Sequence, residues 1–376
     1  MQVYRKISIE PLVILAVLMP FFDWSEDLIS IGGYFYLNIY KLYFLFALVY
    51  VLINGKGIRK GLFNQIIGLL TLGFLFILYH NSFDNIKGFF FVFFLLVLEI
   101  LTKDRKLIIS PRTVVFLRVI ILLVLVSALI EVVLDKKFVT ADFRDNHREF
   151  IGLNIRRVSL SFQDPNYLAF HAGMVFLLLR FFSRKDEVLM SFCTLLVIFL
   201  TGSRGGILAI FISYVMFKQI KYIGHNWRYL VYFILIIMFF YSLKVLDMIN
   251  SLPEMYLESS VDVKTIITRL ILWTSAFYTI IANPLFGLGH GRISDYGKAE
   301  YLPFDLPPDV IDVINDMGFH NYWIELVVEN GIIISCLLLY VMWQKRVELR
   351  PLVLFLFLFL FTSGYESPLL VLLFML

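Results

Sequence analysis

An all-α bundle of about 11–12 membrane-spanning helices, with one large extracytoplasmic loop between the ninth and tenth spans, is the fold class this sequence predicts. Three observations predict it. Of 376 residues, 60% are hydrophobic and 16% charged, with a mean hydropathy of +0.83; a soluble domain carries about 25% charged residues. The apolar residues fall in runs near the ~20 residues that a bilayer crossing requires. Every second connection between those runs is basic, as the positive-inside rule demands.

Taken in order, Arg5 and Lys6 lead into an apolar run at 8–22. It lacks a small-residue cleavage pattern and reads as an uncleaved first helix. Further spans are expected near 31–53, 63–80, 86–101, 113–134, 165–183, 188–202, 204–222, 228–248, 320–343 and 351–363, with a short return segment at 365–376. Lys56, Arg59 and Lys60 follow the second span; Lys103, Arg105, Lys106 and Arg112 follow the fourth. Arg184 and Lys185 follow the sixth, Lys218, Lys221 and Arg228 surround the turn after the eighth, and Lys345, Arg346 and Arg350 follow the tenth. The first intervening connection carries Asp23, Glu26 and Asp27 instead. The N-terminus is therefore expected in the cytoplasm, with the loops 135–164 and 249–319 outside. The chain 1–376 reads as one polytopic membrane domain.

Charge excludes some functions. A net charge of +4 spread over short loops is no nucleic-acid footprint. Cys193 and Cys336 fall inside spans, as small apolar packing residues. There is no Asp-x-Asp pair, no Cys/His cluster at metal spacing and no Walker loop, so no metal and no cofactor are expected. Inside the spans, Lys41 is the deepest charge, with Glu99, Arg118, Arg180 and Glu325 nearer the ends. Lys41 is either functional or, after a modest shift of its helix, free to snorkel.

Four polar constellations carry chemical potential. In Ser161-Phe162-Gln163-Asp164-Pro165-Asn166-Tyr167, Pro at the first helical position after Asp makes a good helix start. Arg156 and Arg157 lie just upstream, so cations stand beside that start, where phosphate can be held. Either an anionic ligand or the neighbouring Asp135, Asp142, Asp145 and Glu149 would satisfy these arginines and Lys136, Lys137, Arg144 and Arg148 of the same loop. Thr201-Gly202-Ser203-Arg204-Gly205-Gly206 places an Arg at a tight turn, costly unless it meets water or an anion. Residues 264–282 read as an amphipathic helix able to lie along the membrane surface, with Arg269 and Trp273 on one face. It leads into Asn283-Pro284-Leu285-Phe286-Gly287-Leu288-Gly289 and His290. Finally, His320-Asn321 opens the tenth span, where the positive helix end favours a neutral imidazole able to take a proton from a hydroxyl.

In this order, and with Glu329-Asn330-Gly331 closing the set, these segments resemble the O-antigen polymerase/ligase family of bacterial envelope proteins, the Wzy- and WaaL-type enzymes. The resemblance covers 156–331; the first five spans match in hydropathy alone. It implies a glycosyltransferase that takes an oligosaccharide from undecaprenyl diphosphate at the outer face of the cytoplasmic membrane. The acceptor hydroxyl belongs to another lipid-linked repeat in a polymerase and to lipid A–core in a ligase; a lipid-linked sugar transporter is the reading from another class. By position, Arg204 and Arg269 would hold diphosphate charge and His320 would activate the acceptor. Arg156 or Arg157 would add a phosphate contact, while His290 and Asn321 would line the substrate site. The implied partners are the lipid-linked oligosaccharide and the bilayer, and a chain-length regulator is a further one the resemblance admits.

Overall fold

A computed structural model of the chain describes residues 5–22, 29–31, 35–37, 39–54, 60–80, 86–102, 105–134, 147–150, 153–162, 165–183, 187–223, 251–258, 261–289, 297–316, 319, 322–344 and, near the C-terminus, 369, 372, 375 and 376. The spans expected near 228–248 and 351–363 and most of the return segment lie outside these residues.

The described chain is mostly helical. Strand β1 (Arg5–Ser8) leads into α1 (Glu10–Leu18), which gives way to a 3-10 turn at Met19–Phe22 where Pro20 cannot continue the helix. Strands β2 (Ile29–Ile31) and β3 (Phe35–Leu37) form an antiparallel hairpin with Ser30 opposite Tyr36. Helices α2 (Ile39–Asn54), α3 (Lys60–His80) and α4 (Ile86–Thr102) precede β4 (Arg105–Ile108), which pairs in parallel with β1. Then come α5 (Pro111–Leu134), a β5/β6 hairpin (His147–Phe150, Leu153–Arg156), α6 (Pro165–Ser183), α7 (Val188–Leu200) and α8 (Arg204–Ile223). The last described helices are α9 (Leu252–Glu258), α10 (Val261–Ala282), α11 (Pro308–Asp316) and α12 (Tyr322–Gln344), with a 3-10 turn at Lys298–Tyr301 before α11.

One expectation is corrected here. The span placed at 31–53 starts only at Ile39, because Ile29–Ile31 and Phe35–Leu37, rich in β-formers, pair as strands ahead of it. Lys41 thereby moves from the depth of a span to the first turn of α2.

Helix α6 is the centre of the bundle. An unbroken run from Leu168 to Leu179 is buried, as expected of a helix enclosed on every side. Against it lie α5, α7 and α8. Helix α5 shows how one apolar sequence serves two environments. Leu117, Ile120, Ile121, Val124, Ala128 and Glu131 recur at helical spacing and are buried. Val115, Val119, Leu122, Leu123, Val126 and Val133 on the remaining surface are exposed. An apolar outer face of that extent suits lipid. Pro111–Leu134 and Pro165–Ser183 are long and apolar enough to cross a membrane, and several shorter apolar helices accompany them. At the end of the bundle where α5 begins, Arg118 grips Glu187 with two hydrogen bonds of 2.6 and 3.2 Å, which pairs a charge set within a span.

A second core lies outside this bundle. Ile267, Ile271, Leu272 and Ala276 of α10 pack with Leu252 of α9, Leu306, Val310 and Ile314 around α11, and Phe319. Burying each such Leu or Ile contributes on the order of 1.5–3 kcal/mol. The segment read as an amphipathic helix at 264–282 is therefore the buried spine of a small helical unit, not a helix lying alone on a surface.

Candidate active site at the inter-helix turns

Two turns of the bundle are stitched together by an arginine. Arg157 leaves the β5/β6 hairpin and donates from Nε to the Thr201 carbonyl at 2.8 Å, with its Nη2 at 3.5 Å from Asn166 Oδ1. Beside it, the Val158 amide donates to the Leu200 carbonyl at 3.1 Å. Leu200 and Thr201 end α7, where helix carbonyls lack intrahelical donors, so the incoming strand completes that terminus. Gly202 follows with φ +65, and a Cβ there would stand 3.2 Å from Arg157 Nε. Ser203 then caps α8: its Oγ accepts from the Gly206 amide at 3.3 Å, and its carbonyl accepts the Ile207 amide. Arg204 is thus the first residue of α8, at a helix N-terminus that carries partial positive charge. Arg157 and the 201–206 turn, separate in sequence, are brought together here. Arg156 ends β6 opposite His147.

The second cluster surrounds the approach to His320. On α10, Trp273 follows Arg269 by one turn, and its indole Nε1 donates to the Phe319 carbonyl at 3.0 Å. Lys298, itself buried, donates from Nζ to the Asn315 carbonyl at 2.5 Å, a favourable cation at the C-terminal end of α11. Its ammonium also lies 5.9 Å from the centre of the Phe319 ring. The Asn315 and Phe319 carbonyls are therefore each held by a side-chain donor. His320, Asn321 and His290 lie outside the described residues, as do the side chains of Arg156 and Arg204. A Trp273→Phe variant keeps the ring packing but removes the donor to Phe319. We expect it to fold with a loss of about 1 kcal/mol, read by a melting curve.

The third feature is a break in α12. At Gly331 the backbone takes φ 72 and ψ 177, and the helix ladder is interrupted. In an unbroken helix the Ile332 and Ile333 amides would bond the Val328 and Glu329 carbonyls. Here the 283–289 loop takes both sides of both rungs. Ile332 and Ile333 donate to the Pro284 and Leu285 carbonyls at 2.9 and 3.4 Å, while Leu288 and Gly289 donate to the Val328 and Glu329 carbonyls, each at 2.9 Å. A chain in an apolar medium must satisfy every backbone group, and this exchange does so. Phe286, at the tip of the loop, meets the Phe76 and Tyr79 rings of α3 at 6.0 and 5.2 Å. The loop and Glu329-Asn330-Gly331 are thus the two halves of one backbone joint.

Three buried polar residues were not singled out in the sequence. Glu131 near the end of α5 accepts from the Ser159 and Leu160 amides. His171 of α6 sits between the Phe21 and Phe162 rings at 5.0 and 5.4 Å. Lys298 is the third. A charged or imidazole group inside or beside an apolar span is itself a signal, and applied without exception it would have flagged the first two.

These features define a mostly helical chain with long apolar helices, in which the turn before α8 is held by backbone contacts. Residues 189–341 match a family model described as O-antigen ligase, which supports the O-antigen ligase/polymerase family, a class of bacterial membrane proteins. Its members are enzymes acting on lipid-linked glycans. The match takes in Arg204, Arg269, the 283–289 loop and Gly331; Arg156, Arg157 and the Ser161–Tyr167 segment lie upstream of it. No curated protein matches the chain.

Proposed function

We propose that the protein polymerises oligosaccharide repeats carried on undecaprenyl diphosphate, at the outer face of the cytoplasmic membrane. In this reaction an acceptor hydroxyl on one lipid-linked repeat attacks the anomeric carbon of the glycan on another. The new glycosidic bond forms as the bond to the diphosphate breaks. The diphosphate departs with its lipid, and the hydroxyl proton passes to His320. A diphosphate is already a good leaving group, so the protein's tasks are orientation and neutralisation of growing negative charge. Guanidinium groups perform the second without a metal, because each offers two parallel donors to phosphate. Arg204 and Arg269 take that role, Asn321 and His290 face the sugar, and Arg156 is the further phosphate contact, since Arg157 is engaged with Thr201.

The observation that carries this reading is the pinning of Arg204's helix start by Arg157 and of the His320 approach by Trp273. Both devices fix backbone at or beside loop–helix junctions, as positional catalysis requires. The description of the matching family favours a second reading, a ligase that transfers the glycan to lipid A–core. Purified protein in lipid nanodiscs, supplied with lipid-linked repeats with and without lipid A–core, separates the two. Ladders of extended lipid-linked product without core are expected. Product formed only when core is present would replace polymerase with ligase, and substrate movement across a sealed bilayer without any new bond would replace both with a transporter.

A further inference from the structure

We propose that Glu131 is a positioning residue for the Arg204 turn, acting through Arg157 over a relay of backbone contacts. Glu131 lies at the end of α5 and is fully buried. Its two carboxyl oxygens receive two successive amides, Ser159 at 3.3 Å and Leu160 at 2.9 Å. Consecutive amides converging on one acidic group form an anion-binding nest. Leu160 takes φ 51, a left-handed conformation that a leucine seldom adopts without such a partner. The Phe162 amide closes the same turn on the Ser159 carbonyl at 2.9 Å.

What this turn holds in place is the strand just before it. With Ser159 and Leu160 anchored to α5, Val158 reaches the Leu200 carbonyl and Arg157 reaches that of Thr201. Thr201 in turn steadies the cap of α8, its Oγ1 lying 3.3 Å from the Ser203 amide. Each link passes through a hydrogen bond with a defined direction. A shift at residue 159 therefore moves the first residue of α8 instead of dissipating in side-chain packing. The relay spans three helices and ends at a cation that the proposed function places on the departing diphosphate; to that extent the catalytic part of the inference rests on that reading.

The test uses full-length protein in nanodiscs and a Glu131→Gln variant, which keeps the shape but turns one acceptor into a donor facing an amide. Hydrogen exchange is read without substrate. The amides of 159–162 and of 201–206 are expected to exchange at least about tenfold faster in the variant, with the interiors of α5 and α6 unchanged. Turnover per folded molecule should fall about tenfold, since small misplacements of a catalytic group cost that much or more. Should Glu131→Gln fail to fold, Arg157→Gln cuts the relay at its far end: exchange is expected to rise at 201–206 while 159–162 stay protected. Unchanged exchange at 201–206 in the folded variant overturns the inference, as does a normal turnover per folded molecule accompanied only by a lower yield. If exchange responds as expected but the unaltered protein transfers no glycan, the relay stands and the proposed function falls.

Discussion

A Gly331→Ala variant is expected to lose both its fold around α12 and its activity. The left-handed, extended backbone at Gly331 belongs to a region that is essentially restricted to glycine. A methyl group there would also stand 2.5 Å from the Gly287 nitrogen, with the Leu285 carbonyl oxygen closer still. Neither neighbour is a side chain that can swing away. Each belongs to the loop whose hydrogen bonds repair the broken helix, so relief of the clash requires giving up those bonds. The backbone conformation alone costs on the order of 1–3 kcal/mol, and each lost buried bond adds the penalty of an unpaired group, about 1–3 kcal/mol. A destabilisation of roughly 4 kcal/mol or more is expected, which few single substitutions reach. Gly287→Ala should behave alike, because its methyl would meet the Val328 carbonyl oxygen at 2.5 Å. Gly68→Ala is the control: nothing lies within 4 Å of a Cβ there, and the helix should gain about 1 kcal/mol from the better helix former. Melting midpoints in nanodiscs rank the three. Equal midpoints for Gly331→Ala and the unaltered protein would falsify the interlocked joint.

Loss of glycan transfer by a factor of about 10²–10⁴ is expected when His320 is replaced with alanine, the range for removing a positioned general base. The folded state should be spared, since the pins on the approach, Trp273 to Phe319 and Lys298 to Asn315, do not involve the imidazole. A single-turnover assay with lipid-linked donor and acceptor, on protein shown to be folded by its melting curve, reads the effect directly. Donor binding should persist, because the arginines rather than the histidine face the diphosphate in the proposed reaction. A His320→Ala protein that extends chains at the normal rate would remove the imidazole from the mechanism. One that is inactive and also fails to bind donor would move the histidine from acceptor activation to substrate binding.

How far the sequence could be read depended on the range of the interaction. Helices α4, α6, α7 and α8 were legible to within a residue or two at most of their ends. Their starts carry local signals: Pro165 at a first helical position, and Ser203 as a cap before Arg204. The pairing of Ile29–Ile31 with Phe35–Leu37 was missed because a count of apolar residues outweighed the Gly32-Gly33 break between them in the sequence. At the candidate site, the glycines at 287 and 331 stood out as unusual, yet nothing in the chain near either one says that they face each other. Arg156 and Arg157 looked interchangeable until the Thr201 carbonyl, over forty residues away, engaged the second. Glu131 passed as an ordinary residue near the end of a span because its partners, the Ser159 and Leu160 amides, lie 28 and 29 residues downstream.

By itself, then, the sequence determined that the chain is mostly helical and strongly apolar, with Arg157 and Arg204 beside its helix starts. Hydropathy, capping and proline placement act over a few residues and survive translation into a string of letters. Only the tertiary structure decided which carbonyl each freed amide would meet: Ile332 with Pro284, Leu288 with Val328, Val158 with Leu200. In an apolar medium those pairings are obligatory. Their choice nevertheless depends on how whole helices pack, a property of the assembled bundle and of no single segment.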